Sequence, residues 1–215
     1  VDGGLDGAQV GCFAIGCGPV NLGPVWYVDQ NGDNTSDGSL ETPFETIEKA
    51  VSVATDGDTI RLNPGVYTEL IEFEGKQIVL ESRAFELDSS ELILETYFGP
   101  GPLGGTCFSL DGNDDNNVIV RGISFRGGSD PFGGGIVISN CSPILESVIV
   151  EDNTAEIGGG IYLSNSDAIL KNIQVRNNGG NLGGGIYITG GSPFLDEVLY
   201  SGLTTEPPPP GIADK

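Results

Sequence analysis

A four-residue segment recurs three times at one spacing: Gly133-Gly134-Gly135-Ile136, Gly158-Gly159-Gly160-Ile161 and Gly183-Gly184-Gly185-Ile186, each copy beginning 25 residues after the last. The register extends beyond the glycines. Leu145, Leu170 and Leu195 share a column, as do Val148, Ile173 and Val198, and Val150, Val175 and Tyr200. The offset carries back one turn to Val120, Ile123 and Phe125, before an indel near Asp111 to Asn117. A fixed period this short means stacked repeating units, a solenoid.

Within a turn the apolar residues come as short alternating runs, Ile136 and Ile138, Leu145, then Val148 and Val150, separated by Gly, Asn, Ser and Asp. That pattern suits strands and corners and not helices. A coil of about 25 residues with two or three short strands is a turn of an all-β, single-stranded parallel β-helix, whose coils stack about 4.8 Å apart so that equivalent positions form ladders. The ladders test the alignment, because opposite charges attract across such a step and like charges repel. The column Arg121, Glu146, Lys171, Asp196 alternates in sign, and so does Arg126, Glu151, Arg176. These columns give four of the nine basic residues an architectural role and lower the expectation that any arginine among them is catalytic. Asn140 and Asn165 form a further corner ladder of stacking amides.

Thirty-five glycines and thirteen prolines fit a corner-rich β-solenoid of one elongated domain. A net charge of -22 without a single histidine argues against nucleic acid, an anionic membrane surface and polyanions unless calcium bridges them. No stretch has the apolar length to span a bilayer. The chain begins at Val1, lacks Met and carries four cysteines, Cys12, Cys17, Cys107 and Cys141, which together lead to the expectation of a secreted protein with disulfides of undetermined pairing. Asn34-Thr35-Ser36 and Asn140-Cys141-Ser142 match glycosylation acceptors only formally.

Three regions follow: a Gly-rich N-terminal extension, residues 1–24, a β-helix domain, 25–203, and a Pro-rich tail, 204–215. Over about 43–55 the spacing of Ile47, Ala50, Val51 and Ala54 predicts a capping α-helix, with Thr42 as N-cap and Pro43 at its first position. Early strands are expected at Asp58 to Asn63, Glu69 to Phe73, Gln77 to Glu81 and Glu91 to Glu95.

The segments Trp26-Tyr27-Val28-Asp29, Asp37-Gly38-Ser39, Pro43-Phe44-Glu45-Thr46-Ile47, Asp56-Gly57-Asp58-Thr59-Ile60 and Asn63-Pro64-Gly65-Val66-Tyr67, with the later Gly-Gly-Gly-Ile-Tyr repeats, resemble the secreted pectate-lyase-like parallel β-helix proteins. These include members with polymorphic outer-membrane protein repeats. The resemblance covers residues 26 to about 200 and implies a right-handed helix and an extracellular or cell-surface setting. The superfamily holds lyases, hydrolases, adhesins and inert repeats, so it does not imply one function.

Asp29, Asn31, Asp33 and Asp37 alternate oxygen-bearing side chains as a calcium loop does, although the twelfth position is Leu40 and Glu41 comes one residue late. The competing reading is a solvated turn whose side chains cap backbone groups. The central coils supply neither the clustered acids nor the spare base that lyases of this fold use, and the absence of histidine removes Ser-His-Asp chemistry. No catalytic residue is assigned. Val137, Tyr162 and Tyr187 project from one face, a partner or sugar surface, although aromatic stacking for stability is the commoner reason for such a column. Ile119, Ile144, Ile169 and Phe194 make another apolar column.

Pro207 to Pro210 cannot donate ladder hydrogen bonds, so the last coil is expected to stay open. Val10, Phe13 and Ile15 of one copy are then expected to meet Tyr200 and Leu203 of the next, building a filament or layer. The expected function is a secreted structural or adhesive protein, partnered by copies of itself and by cell-surface polysaccharide, without catalysis. The alternative is a polysaccharide-binding or polysaccharide-cleaving β-helix, with calcium as the one candidate cofactor.

Overall fold

The structure, a computed structural model, describes residues 24–87, 89, 91–101, 103–112 and 118–201. In chain order its elements are β1 (Val25–Val28), α1 (Ile47–Val53), β2 (Thr59–Leu62), β3 (Gly65–Tyr67), β4 (Val79–Ser82), α2 (Arg83–Leu87), α3 (Glu91–Glu95), β5 (Thr96–Phe98) and β6 (Phe108–Leu110). Next come β7 (Ile119–Arg121), β8 (Ser124–Arg126), β9 (Ser129–Phe132), β10 (Ile136–Ser139), β11 (Ile144–Glu146), β12 (Ile149–Glu151) and β13 (Thr154–Ile157). The last are β14 (Ile161–Ser164), β15 (Ile169–Arg176), β16 (Gly179–Leu182), β17 (Ile186–Thr189) and β18 (Phe194–Ser201).

Every ladder between these strands is parallel, which makes the molecule a parallel β-helix. Its coils have four faces where the sequence suggested two or three strands. The first face runs β1-β2-β4-β7-β11 into the start of β15 and β18; the second runs β3-β5-β8-β12 into the ends of those two long strands. The third is β6-β10-β14-β17 and the fourth β9-β13-β16.

The extra faces come from corners turned by single residues in the left-handed conformation. Ser147, Asn172 and Glu197 turn one corner; Asp152 and Asn177 the next; Gly133, Gly158 and Gly183 the third; and Asn140, Asn165 and Gly190 the fourth. The Gly-Gly-Gly signature follows. Its first glycine has positive φ, whereas the third lies so close to the neighbouring coil that a Cβ on Gly160 would stand 2.6 Å from Gly185 O. Asn165 donates to Asn140 Oδ1 at 3.2 Å, as the corner ladder predicts. A second, buried ladder lies deeper. Asn153 donates to Asn178 Oδ1 at 3.0 Å and to Phe125 O at 3.0 Å, and Asn178 donates to Val150 O at 2.9 Å. Corner backbone groups sealed from water thereby keep partners.

Interior columns run the length of the helix. One is Tyr67, Phe98, Phe125, Val150, Val175, Tyr200. The charged column also runs further than the repeat reveals. Arg61 and Glu81 precede Arg121, and Glu81, 1% exposed, accepts an ion pair from each arginine at 2.6 Å.

The first coils differ from the expectation in detail. The helix begins at Ile47, not Pro43, because Phe44 bridges to Val28 and Thr46, not Thr42, accepts from Lys49 N as N-cap. It packs on β1 and β2 with Ile47, Ala50 and Val51 buried. Residues 91–95 form α3 and not a strand, since the strands on either side already pair with other coils, β4 with β7 and β5 with β8. Residues 69–73 are irregular, although Phe73 is fully buried. Cys107 and Cys141 are buried thiols, not joined by a disulfide; Cys12 and Cys17 lie outside the described residues, as do Val10, Phe13, Ile15 and Leu203.

Candidate functional site

Where the irregular coils meet the regular ones, the segments 99–101 and 103–106 lie beside the segment 68–70, with Leu70 and Leu103 exposed. Between them lies a groove of about 740 Å³. Its sides carry Leu70, Leu103 and Phe132, exposed by 83%, 101% and 47%, and Ser109 and Val137 of the third face line it as well. Thr68, Thr106 and Asp130 add polar groups. Such a mixture, mostly apolar with a few polar groups, is what concave ligand sites present.

The groove opens onto an aromatic column. Phe132 meets Tyr162 edge to face, with ring centroids 5.3 Å apart, and Tyr162 stacks on Tyr187 at 5.8 Å with their planes within 6°. Tyr162 and Tyr187 therefore share one face with Val137, in register along β10, β14 and β17. Their ring faces are turned on each other, so this column presents edges, not an open aromatic platform. Beside it on the fourth face runs a second column, Phe132, Ile157 and Leu182, with Phe132 and Leu182 exposed.

Chemistry in the groove is sparse. Cys107 lies on its inner side with Sγ 3.4 Å from Arg126 O and 3.5 Å from Asn153 Oδ1, and burial pushes its thiol up to about 12. At neutral pH it carries almost no thiolate, the form needed of a nucleophile. The Glu69 carboxylate turns away to accept from Ile47 N at 2.9 Å and Glu48 N at 3.2 Å; burial raises its pKa against those bonds. None of the described groove residues is Lys or Arg, and neither are any residues of the third and fourth faces. The arginines sit elsewhere in ion pairs: Arg61 and Arg121 on Glu81, Arg83 on Glu86, Arg126 and Arg176 on Glu151.

The acidic loop proves to be a series of self-capped turns. Asp29 Oδ1 accepts from Asn31 N at 2.8 Å and Oδ2 from Asn63; Asp33 Oδ1 accepts from Thr35 N at 2.8 Å; Asp37 Oδ1 accepts from Thr42 Oγ1 at 2.6 Å and Ser39 N at 3.0 Å. These bonds hold Asp37 down at about 2. Asp29, Asn31, Asp33 and Asp37 are thus not gathered about one point, and no three carboxylate or thiol groups converge as a metal site among the described residues. Asn34 is occupied likewise, accepting from Glu45 N and Thr46 N and donating to Thr46 Oγ1. Tyr200 lies on β18, 62% exposed, away from the groove.

Leu70, Leu103, Asp130 and Phe132 were not legible as site residues. Phe132 had a signal in the 25-residue column it shares with Ile157 and Leu182. Leu70 and Leu103 sit outside the repeat and had none.

A family described as a protein of unknown function (DUF1565) matches residues 30–76. Among solved structures the chain is similar to pectate lyase Pel9A, at 18% identity and a TM-score of 0.48, covering 74% of this chain and 41% of that one. It is also similar to a rhamnogalacturonan lyase, at 13% identity and a TM-score of 0.26, covering 83% and 50%. The chain thus spans half the length of these proteins or less. No curated protein matches it.

Proposed function

We propose that the protein is an adhesive β-helix of the cell surface that holds a polysaccharide chain without cleaving it. The observation that carries this reading is the groove continued by the aromatic column. From Ser109 to Tyr187 the track crosses four strands of the third face, three steps of about 4.8 Å, or about 14 Å along the axis. That length suits several units of an extended polymer. Leu70, Leu103 and Phe132 pack the C–H faces of sugar rings, and the hydroxyls of Thr68, Thr106 and Ser109 meet sugar hydroxyls. The groove's own groups favour holding a chain over cleaving it: its thiol is protonated, its glutamate is bonded to a helix terminus, and none of the described residues lining it is Arg or Lys.

The test is calorimetric titration with soluble polysaccharides of several classes, on the wild type and on Phe132→Ala. Binding to one class, weakened about tenfold or more in the variant and with no new reducing ends or unsaturated products after long incubation, is the expected result. Accumulating products would overturn the non-catalytic reading, and failure of every class to bind would overturn the site.

A further inference from the structure

We infer that the groove selects a chain bearing free amino groups, an N-deacetylated amino-sugar polymer, over its uncharged or uronate counterparts; this rests on the polysaccharide-binding reading above. Asp130, partly buried on β9, is the groove carboxylate left for a ligand once Glu69 is bonded to α1. Its Oδ1 receives only a 3.4 Å contact from Phe132 N, and its Oδ2 lies 3.8 Å from where a Cβ of Gly105 would stand, facing the segment 103–106. Asp130 forms no ion pair among the described residues. A chain seated between Leu103 and Phe132 strips water from that carboxylate. The loss is offset best by a cation, since an unpaired buried charge is costly and a charge-assisted hydrogen bond is stronger than a neutral one.

The surroundings have one sign. The third and fourth faces contain Asp130 and Glu156 and no basic residue, all five arginines are held in ion pairs off these two faces, and the whole chain carries -22. Uronate chains are repelled by this field, with no cation among the described groove residues to hold them. Lysine-rich peptides share the favoured charge, but they bring backbone donors and acceptors, and β10 and β14 of the track are already paired on both edges.

The experiment measures binding of the full chain to three oligosaccharides of equal length, one with free amines, one N-acetylated and one of uronates, at low salt and at about 0.5 M salt. Asp130→Asn, which keeps the bond from Phe132 N, is run alongside. The expected order is amine, then acetylated, then uronate, with the preference for the amine over the acetylated form falling about twofold to fivefold in Asp130→Asn and in high salt. Equal binding of uronates, an unaltered preference in Asp130→Asn, or a lysine peptide that competes as well as the amino sugar would each overturn the inference. Equal, Phe132-dependent binding of amine and acetylated chains would remove the charge preference and leave the groove reading standing, whereas failure of all three would remove both.

Discussion

The two halves of this β-helix solve the same packing problem at different chain lengths. Along the first face, Val25, Thr59, Val79 and Ile119 occupy one column with steps of 34, 20 and 40 residues, and then Ile144, Ile169 and Phe194 follow at 25 each. Interior columns run unbroken across the change. Insertions therefore leave at the corners, where a longer loop costs little closure entropy, and the strands keep their register because a slip would turn the apolar residues outward. The irregular half is filled with rings, Phe98 meeting Tyr67 and Phe108, and Phe108 meeting Phe73; Phe125, where the regular repeat begins, packs on Phe98 and Phe108, and beyond it the regular half is filled with Val, Ile and Leu. The irregular half's segments 68–70, 99–101 and 103–106 wall the groove, and the regular half supplies the ruler on which the tyrosines are spaced.

The sharpest test of this contrast uses one interior column. Phe98→Ala, with the ring buried against Phe108 and Phe125, is expected to cost about 3–5 kcal/mol, against about 2 kcal/mol for Val175→Ala three coils on. Urea denaturation of both variants decides it, and equal losses would mean that the ring-filled half is not the tighter packed. Smaller is the contrast within the charged column. Glu81→Ala leaves Arg61 and Arg121, 17% and 30% exposed, without their shared buried partner, an expected loss of about 2–3 kcal/mol. Lys171→Ala, in register with Glu146 and Asp196 on the surface, should cost about 1 kcal/mol or less. A double variant combining Glu81→Ala with Arg121→Ala that recovers no stability would show that Glu81 acts through packing alone.

The smallest expected effect is local and depends on pH. Asp37, in the long first coil, is held at about 2, below its ordinary 3.8, by Thr42 and Ser39. A depressed carboxylate contributes stability that is present above its ordinary value and lost as pH falls through the folded one. The turn from Asp37 to Thr42 should stay ordered at about pH 3 and open towards pH 2. Amide exchange at Ser39 and Thr42 reads this out, and opening near pH 4 would break the assignment.

The regular half was legible because a 25-residue period exposes each column directly, down to the alternation of Arg121, Glu146, Lys171 and Asp196. Its continuation to Glu81 and Arg61 was hidden by the 40-residue step that carries α2 and α3, an insertion at a corner that other coils turn in two or three residues. The same step disguised α3. The run Glu91-Leu92-Ile93-Leu94-Glu95 suits strand or helix locally, and only the filled ladders on either side exclude the strand. Asn153 and Asn178 stood in the repeat in plain view, yet their burial depends on which way the corner folds.

Glycines at fixed spacing, apolar columns and alternating charges belong to the sequence, because they are local rules repeated at one period, and they determined a parallel β-helix. The groove belongs to the tertiary structure. Leu70, Leu103 and Phe132 are 62 positions apart from first to last, and they share a wall only because the coils between them stack and push their surplus chain outward over the same edge.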